Sequence, residues 1–230
     1  MSYITENLRQ VQATIQSSCE RAGRSSSEVQ IVAVTKYVSL ETTRAALEAG
    51  IRHIGESRTQ DAVPKWEALG EKAATWHFIG HLQTNKVRDM IGRFAYVHSL
   101  DRLSLAKELN KRSEQQQSIT HCMVQVNISG EETKHGLTPQ EVPDFLAAIH
   151  DMPYIKANGF MTMAPYVEDP EEVRWVFREL RELRERMQQQ YPKLSLEHLS
   201  MGMSNDYHIA VEEGATFIRL GSTLVGDERN

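Results

Sequence analysis

Cysteine is scarce in this 230-residue chain: Cys19 and Cys122 are the only two, far apart and in no metal-like spacing. That count excludes a disulfide-built secreted domain and a thiolate-rich metal centre. Nine histidines are scattered along the chain and no Cys-x-x-Cys pair accompanies them, so no metal is expected. The N-terminus carries no secretory signal and no apolar run reaches membrane length, so the expectation is a reduced, cytoplasmic protein without a membrane partner. Basic residues are in deficit, 26 Lys and Arg against 31 Asp and Glu, and the net charge of −5 argues against an obligatory nucleic-acid surface. No linker-like or low-complexity segment divides the chain. Residues 1–230 are therefore read as a single domain, and with no oligomerisation signal a monomer is expected.

What is present begins with the run Val29-Gln30-Ile31-Val32-Ala33-Val34-Thr35-Lys36-Tyr37, an almost unbroken β-branched stretch that delivers a lysine at its end. Such a run suits a parallel strand covered on both faces. Before it, Ile4, Leu8, Val11, Ile15 and Cys19 recur at helical spacing, with Ser2 as the cap and Gly23 as the stop. After it, strand-like and helix-like stretches alternate to the end of the chain. Strands are expected at 51–54, 75–79, 95–98, 122–128, 157–161, 196–199 and 216–220. Pro64 should kink or split the helix that follows Ser57, and Thr138-Pro139-Gln140-Glu141 should open a helix as a capping box. A further helix is expected from Pro170 to about Gln190, and Ser204 or Asn205 should cap the next. Eight strands alternating with helices imply right-handed crossovers and a parallel sheet. The fold class is α/β, a (β/α)8 TIM barrel with an extra N-terminal helix. An open doubly wound sheet is the rival, but no Gly-x-Gly-x-x-Gly follows the first strand.

In a barrel the strand ends form one rim, and active sites lie there. The rim groups are Lys36, Glu56, Ser57, His77, Ser99, Asn127, Met161, Ser200 and Arg219 with Gly221. The loop Ser200-Met201-Gly202-Met203-Ser204 and the loop Gly221-Ser222-Thr223 follow the seventh and eighth strands, the habitual phosphate site of such barrels. A phosphorylated ligand facing a rim lysine is the favoured reading. A desolvated lysine beside an arginine becomes available as a nucleophile toward a carbonyl. Two chemistries then remain: a Schiff-base aldolase on a sugar phosphate, or a pyridoxal 5′-phosphate protein. An inert strand-end lysine between ordinary turns is the plain alternative.

The motifs IVAVTK, HIGES, WHFIGHLQTNK, VQVNIS, GFMTMAP, LSMGMSNDY and FIRLGSTLVG occur in this order across the chain. Together they resemble the YggS/YlmE/PROSC family of pyridoxal-phosphate-binding proteins. The resemblance implies a barrel like the N-terminal domain of alanine racemase, the type III fold of pyridoxal phosphate proteins. It implies pyridoxal 5′-phosphate held as a Schiff base on Lys36, with the phosphate on Ser200, Ser204, Gly221 and Ser222. Arg219 would face the pyridine nitrogen, and Met201 or His77 would line the ring's surroundings. Ser57 stands where the family commonly has asparagine, so no ring contact is carried over to it. An arginine at the pyridine nitrogen disfavours its protonation and leaves a weak electron sink. The chain ends at Asn230, with no length left for the second domain that completes an alanine racemase. The expectation is therefore vitamin B6 homeostasis with little or no turnover, and pyridoxal-phosphate-dependent apoenzymes as recipients. A small amino-acid racemase is the alternative.

Overall fold

In the computed structural model, which describes residues 2–228, eight parallel strands pair in sequence order and close into a barrel. They are β1 (Gln30–Val34), β2 (His53–Glu56), β3 (Thr75–Phe78), β4 (Tyr96–Leu100), β5 (Thr120–Gln125), β6 (Ile155–Met161), β7 (His198–Ser200) and β8 (Phe217–Leu220). Around them lie α1 (Tyr3–Ala22), α2 (Leu40–Glu48), α3 (Thr59–Leu69), α4 (Val87–Met90), α5 (Leu103–Gln115), α6 (Val142–Ile149), α7 (Arg174–Gln190), α8 (Tyr207–Glu212) and α9 (Ser222–Val225). The expected barrel with its extra leading helix is thus observed. Ser2 caps α1 by accepting the Thr5 N–H, and Gly23 ends it in the left-handed region at φ 65°. The buried stripe Ile4, Leu8, Val11 and Ile15 packs α1 against α8 and α9, so the extra helix closes the seam between the last and first units. Among the described residues no helix is long and apolar enough to cross a membrane.

Strand alternation splits the wall into two unlike faces. Outward residues such as Ala33, Ile54, Trp76, Phe78, Val97, Val124 and Phe160 join Leu109, Phe177 and Leu180 of the helices in one continuous core. Inside the barrel the apolar cluster is small: Val32, Met123, Met161 and Phe217, flanked by Tyr96 and Met163. Much of the remaining interior is histidine. Where β6 passes β7, Gly159 pairs with His198, and an added Cβ at Gly159 would sit 1.8 Å from the His198 carbonyl oxygen.

Several local expectations are corrected. Pro64 neither splits nor ends α3, which runs unbroken from Thr59 to Leu69. Its ring lies on the exposed face, where water can satisfy the carbonyl that loses a donor. Glu141 Oε2 accepts both the N–H and the hydroxyl of Thr138, which is half of the expected capping box, but within a turn, and α6 begins at Val142. Pro143 fits the first turn of the helix begun at Val142. The stretch from Pro170 starts as one 3-10 turn, Pro170–Val173, and becomes α-helical at Arg174. Residues 204–205 do not cap α8. Asp206 precedes it, and its carboxylate instead accepts the Met203 N–H at 2.6 Å.

Candidate functional site

The C-terminal rim opens into a cavity of about 500 Å3. That lies in the size range of small-molecule pockets, roughly 300–1,000 Å3. Lys36, Ser204, Arg219, Gly221 and Ser222, five of the residues singled out in the sequence, line it together. β1 itself stops at Val34, so Lys36 sits in the turn beyond it. The inward alternation of Val32 and Val34 nonetheless continues to Lys36. The lysine is half-buried, with Nζ 4.7 Å from the centre of the Tyr37 ring.

Its neighbour Thr35 faces the other way and is clamped from outside the barrel. The Thr35 hydroxyl donates to Glu56 Oε1 at 2.5 Å, and Lys65 Nζ of α3 donates to both Glu56 Oε1 and the Thr35 carbonyl. Glu56 is fully buried, so burial raises its carboxyl above the ordinary range against the pull of Lys65. The sequence reading put Glu56 on the rim. Parity corrects this: Gly55 faces inward onto Val32, so Glu56 faces outward.

On the adjoining wall, after β7 and β8, the Ser222 and Ser204 hydroxyls come within 3.4 Å of each other at the cavity surface. The loop carrying Ser204 turns at Gly202, φ 91°, where a Cβ would strike Ala210 at 2.7 Å. Arg219 forms the floor and is 5 % exposed. Its Nη1 donates to Ser200 Oγ at 2.6 Å and its Nη2 to the Thr162 carbonyl at 2.9 Å. Burial lowers its pKa to about 10, which leaves it a cation at neutral pH.

Three of the predicted cofactor-binding residues do not line the cavity, nor do the expected rim groups Ser99, Asn127 and Met161. Ser200 is fully buried beneath Arg219, and its hydroxyl is shared between Arg219 and His98, not offered to a phosphate. Met201 points outward with Leu199 into the helix-covered core. His77 lies one layer deeper in the barrel, stacked on Tyr96 at 4.8 Å and held between His53 and His98. Ser200 and His77 are expected from strand ends and Met201 from the resemblance, and the depth at which a strand stops is not written in its composition. His77 and His98 are held well below the ordinary histidine range, chiefly by burial, and His53 and His198 are lowered for the same reason.

At the lip, His81 and His135 stack with ring centres 4.3 Å apart, and Asp101 completes a group whose ligand atoms lie within 4.8 Å of one another. Asp101 is already paired with Arg102 at 2.7 Å. The grouping of these residues, like that of Thr35, Glu56 and Lys65 and of the interior histidines, is not legible in the sequence because different strands, loops and helices make it.

The family model described as "Alanine racemase, N-terminal domain" matches residues 4–229. A pyridoxal phosphate homeostasis protein of Aquifex aeolicus is 42 % identical over 97 % of this chain and 98 % of its own. PipY of Synechococcus elongatus, solved with pyridoxal phosphate bound, is 32 % identical with a TM-score of 0.86, covering 97 % of this chain and 100 % of that one. The alanine racemase of Clostridium difficile, at 13 % identity and a TM-score of 0.72 over 95 % of this chain and 56 % of that one, shares the barrel alone. The geometry of the rim and these likenesses agree with the motif order read from the sequence, and the chain belongs to the pyridoxal phosphate homeostasis proteins within the alanine racemase N-terminal domain family.

Proposed function

We propose that this protein binds pyridoxal 5′-phosphate at the rim cavity, serves vitamin B6 homeostasis, and turns over little or no substrate. The observation that carries this is the convergence on one cavity of a lysine, a pair of serine hydroxyls and a buried arginine. Lys36 is the amine that would hold the cofactor's aldehyde. Ser204 and Ser222 are placed as hydroxyl partners for its phosphate, with Gly221 leaving the backbone beside them open. Arg219 on the floor would face the pyridine nitrogen. When bound, the cofactor supplies an electron sink for amino-acid carbanions. A fixed guanidinium beside the ring nitrogen disfavours protonation there and weakens that sink. The binding reported for PipY supports the same reading. Apoenzymes that need the cofactor are the recipients it implies, with this chain acting as a monomer.

The test is the visible spectrum after loading and dialysis. The parent should keep an absorption band from the bound cofactor, and Lys36→Ala should lose it. A variant that keeps the parent's band would remove Lys36 from its role. Alanine enantiomers incubated with the loaded protein in deuterated buffer should exchange no α-hydrogen above background. Enzyme-like exchange would make the protein a racemase.

A further inference from the structure

A line of hydrogen bonds descends from the cavity floor through the barrel interior, joining side chains of five strands. Arg219 Nη1 donates to Ser200 Oγ at 2.6 Å, and Ser200 Oγ meets His98 Nδ1 at 2.7 Å. His98 Nε2 meets His77 Nδ1 at 2.8 Å, and His77 Nε2 meets His53 Nδ1 at 2.9 Å. Tyr96 stacked on His77, and Phe217 edge-on to His53 and His77, fence the line on its sides.

Its direction follows from one end. A guanidinium has only donors, so Ser200 must accept from Arg219. Among the described residues, the hydroxyl's single hydrogen has one acceptor at hydrogen-bond distance, His98 Nδ1. A neutral imidazole that accepts at Nδ1 carries its hydrogen on Nε2. His98 therefore donates to His77, and His77 to His53, each through Nε2. The opposite polarity would leave the buried Ser200 hydrogen with no partner. Burial keeps His77 and His98 neutral, so neither ring has a second hydrogen with which to break the order.

We propose that Ser200, His98, His77 and His53 form a one-way hydrogen-bond chain and are positioning residues that hold Arg219 in place as a cation beneath the cofactor ring. Every acceptor lone pair along the chain points back toward Arg219, so the aligned imidazole dipoles present their negative end to the guanidinium. That support matters because no carboxylate among the described residues forms an ion pair with Arg219, and Asp206 acts on it only at longer range. The positioning role rests on the cofactor reading given above. The direction of the chain does not.

The direction is tested without cofactor, on the whole protein labelled with 15N-histidine. Couplings across N–H···N bonds should reveal three linked rings, each bond running from an Nε2–H to an Nδ1, with His77 shared. Hydrogen found on Nδ1 of His77 or His98 overturns the chain. The positioning role is tested on the loaded protein by titrating its visible band with pH. Ser200→Ala and His98→Phe should each move the midpoint by about half a pH unit or more, a roughly threefold change in proton affinity. His98→Gln, which can still accept from Ser200 and donate to His77, should return it toward the parent value. Ser200→Ala removes one hydroxyl only and carries the test if His98→Phe does not fold. Unmoved midpoints with correct tautomers overturn the positioning role. A parent that binds no pyridoxal phosphate overturns the cofactor reading and that role together, while the direction of the chain still stands or falls on the couplings.

Discussion

The outer and inner faces of the barrel wall are built from different materials. Outside, strand residues such as Trp76, Phe78 and Phe160 pack fully buried against Leu109 and Phe177 of the helices. Inside, a short apolar cluster shares the space with His53, His77, His98 and Arg219. Apolar burial is non-directional, so the outer face can stabilise the cylinder without fixing any one atom. Hydrogen bonds are directional, so the inner face can fix an atom at the cavity floor. The difference assigns most of the stability to one side of the wall and most of the site's geometry to the other.

The sharpest way to break that division is Phe177→Ala. It removes a fully buried ring from the outer core and should cost about 4 kcal/mol in chemical denaturation. Cofactor affinity of the still-folded fraction should stay within about twofold. A large affinity loss would show that the two faces are not separable. Lys65→Met comes next, because the Glu56 clamp ties the outer face to Thr35, the neighbour of the cavity residue Lys36. Stranding a buried carboxylate should cost about 3 kcal/mol, and adding Glu56→Gln should recover much of it.

Acid should weaken the inner face. His53, His77, His98 and His198 have folded pKa values below the ordinary 6.5, so their contribution is complete above about pH 6.5. Below it the unfolded chain takes protons that the folded chain refuses. Stability should then fall by up to about 1.4 kcal/mol per pH unit for each such histidine. Glu56 and Asp206, raised by burial, act oppositely: they favour the folded state at low pH and lose that contribution as pH rises through their folded values. Urea midpoints at pH 7.5 and 5.5 should show a net loss on acidification, and equal midpoints would refute it. The smallest structural effect belongs to Ser222→Ala at the rim. It should change stability by under about 0.5 kcal/mol while weakening pyridoxal phosphate binding about tenfold, read by equilibrium dialysis.

The part of the rim built by β1 and β8 is legible because period-two alternation and strand order are both carried by the residues themselves. Lys36 follows Val32 and Val34 on the same face, and Gly221 and Ser222 directly follow β8. Layer depth was not legible. LSMGMS reads as a hydroxyl-bearing loop, yet its first serine is the last residue of β7 and belongs to the barrel interior. Pairings across strands were equally hidden. Nothing near Glu56 in the sequence distinguishes a rim carboxylate from one turned outward to Lys65, and His77 and His98 are 21 residues apart. Pro64 is a helix breaker by residue type, and only the fold shows that its face of α3 is wet.

Gly159 gives the cylinder a tolerance of one atom. With a hydrogen in place of a methyl group, β6 and β7 lie side by side, Gly159 opposite His198 and Met161 opposite Ser200. A carbon there would act as a wedge between the two staves. It would spread them at the level of His198 and draw Ser200 away from the guanidinium it supports, two residues further along. Variation at this position is therefore closed to every other amino acid, including alanine, although Gly159 does not line the cavity.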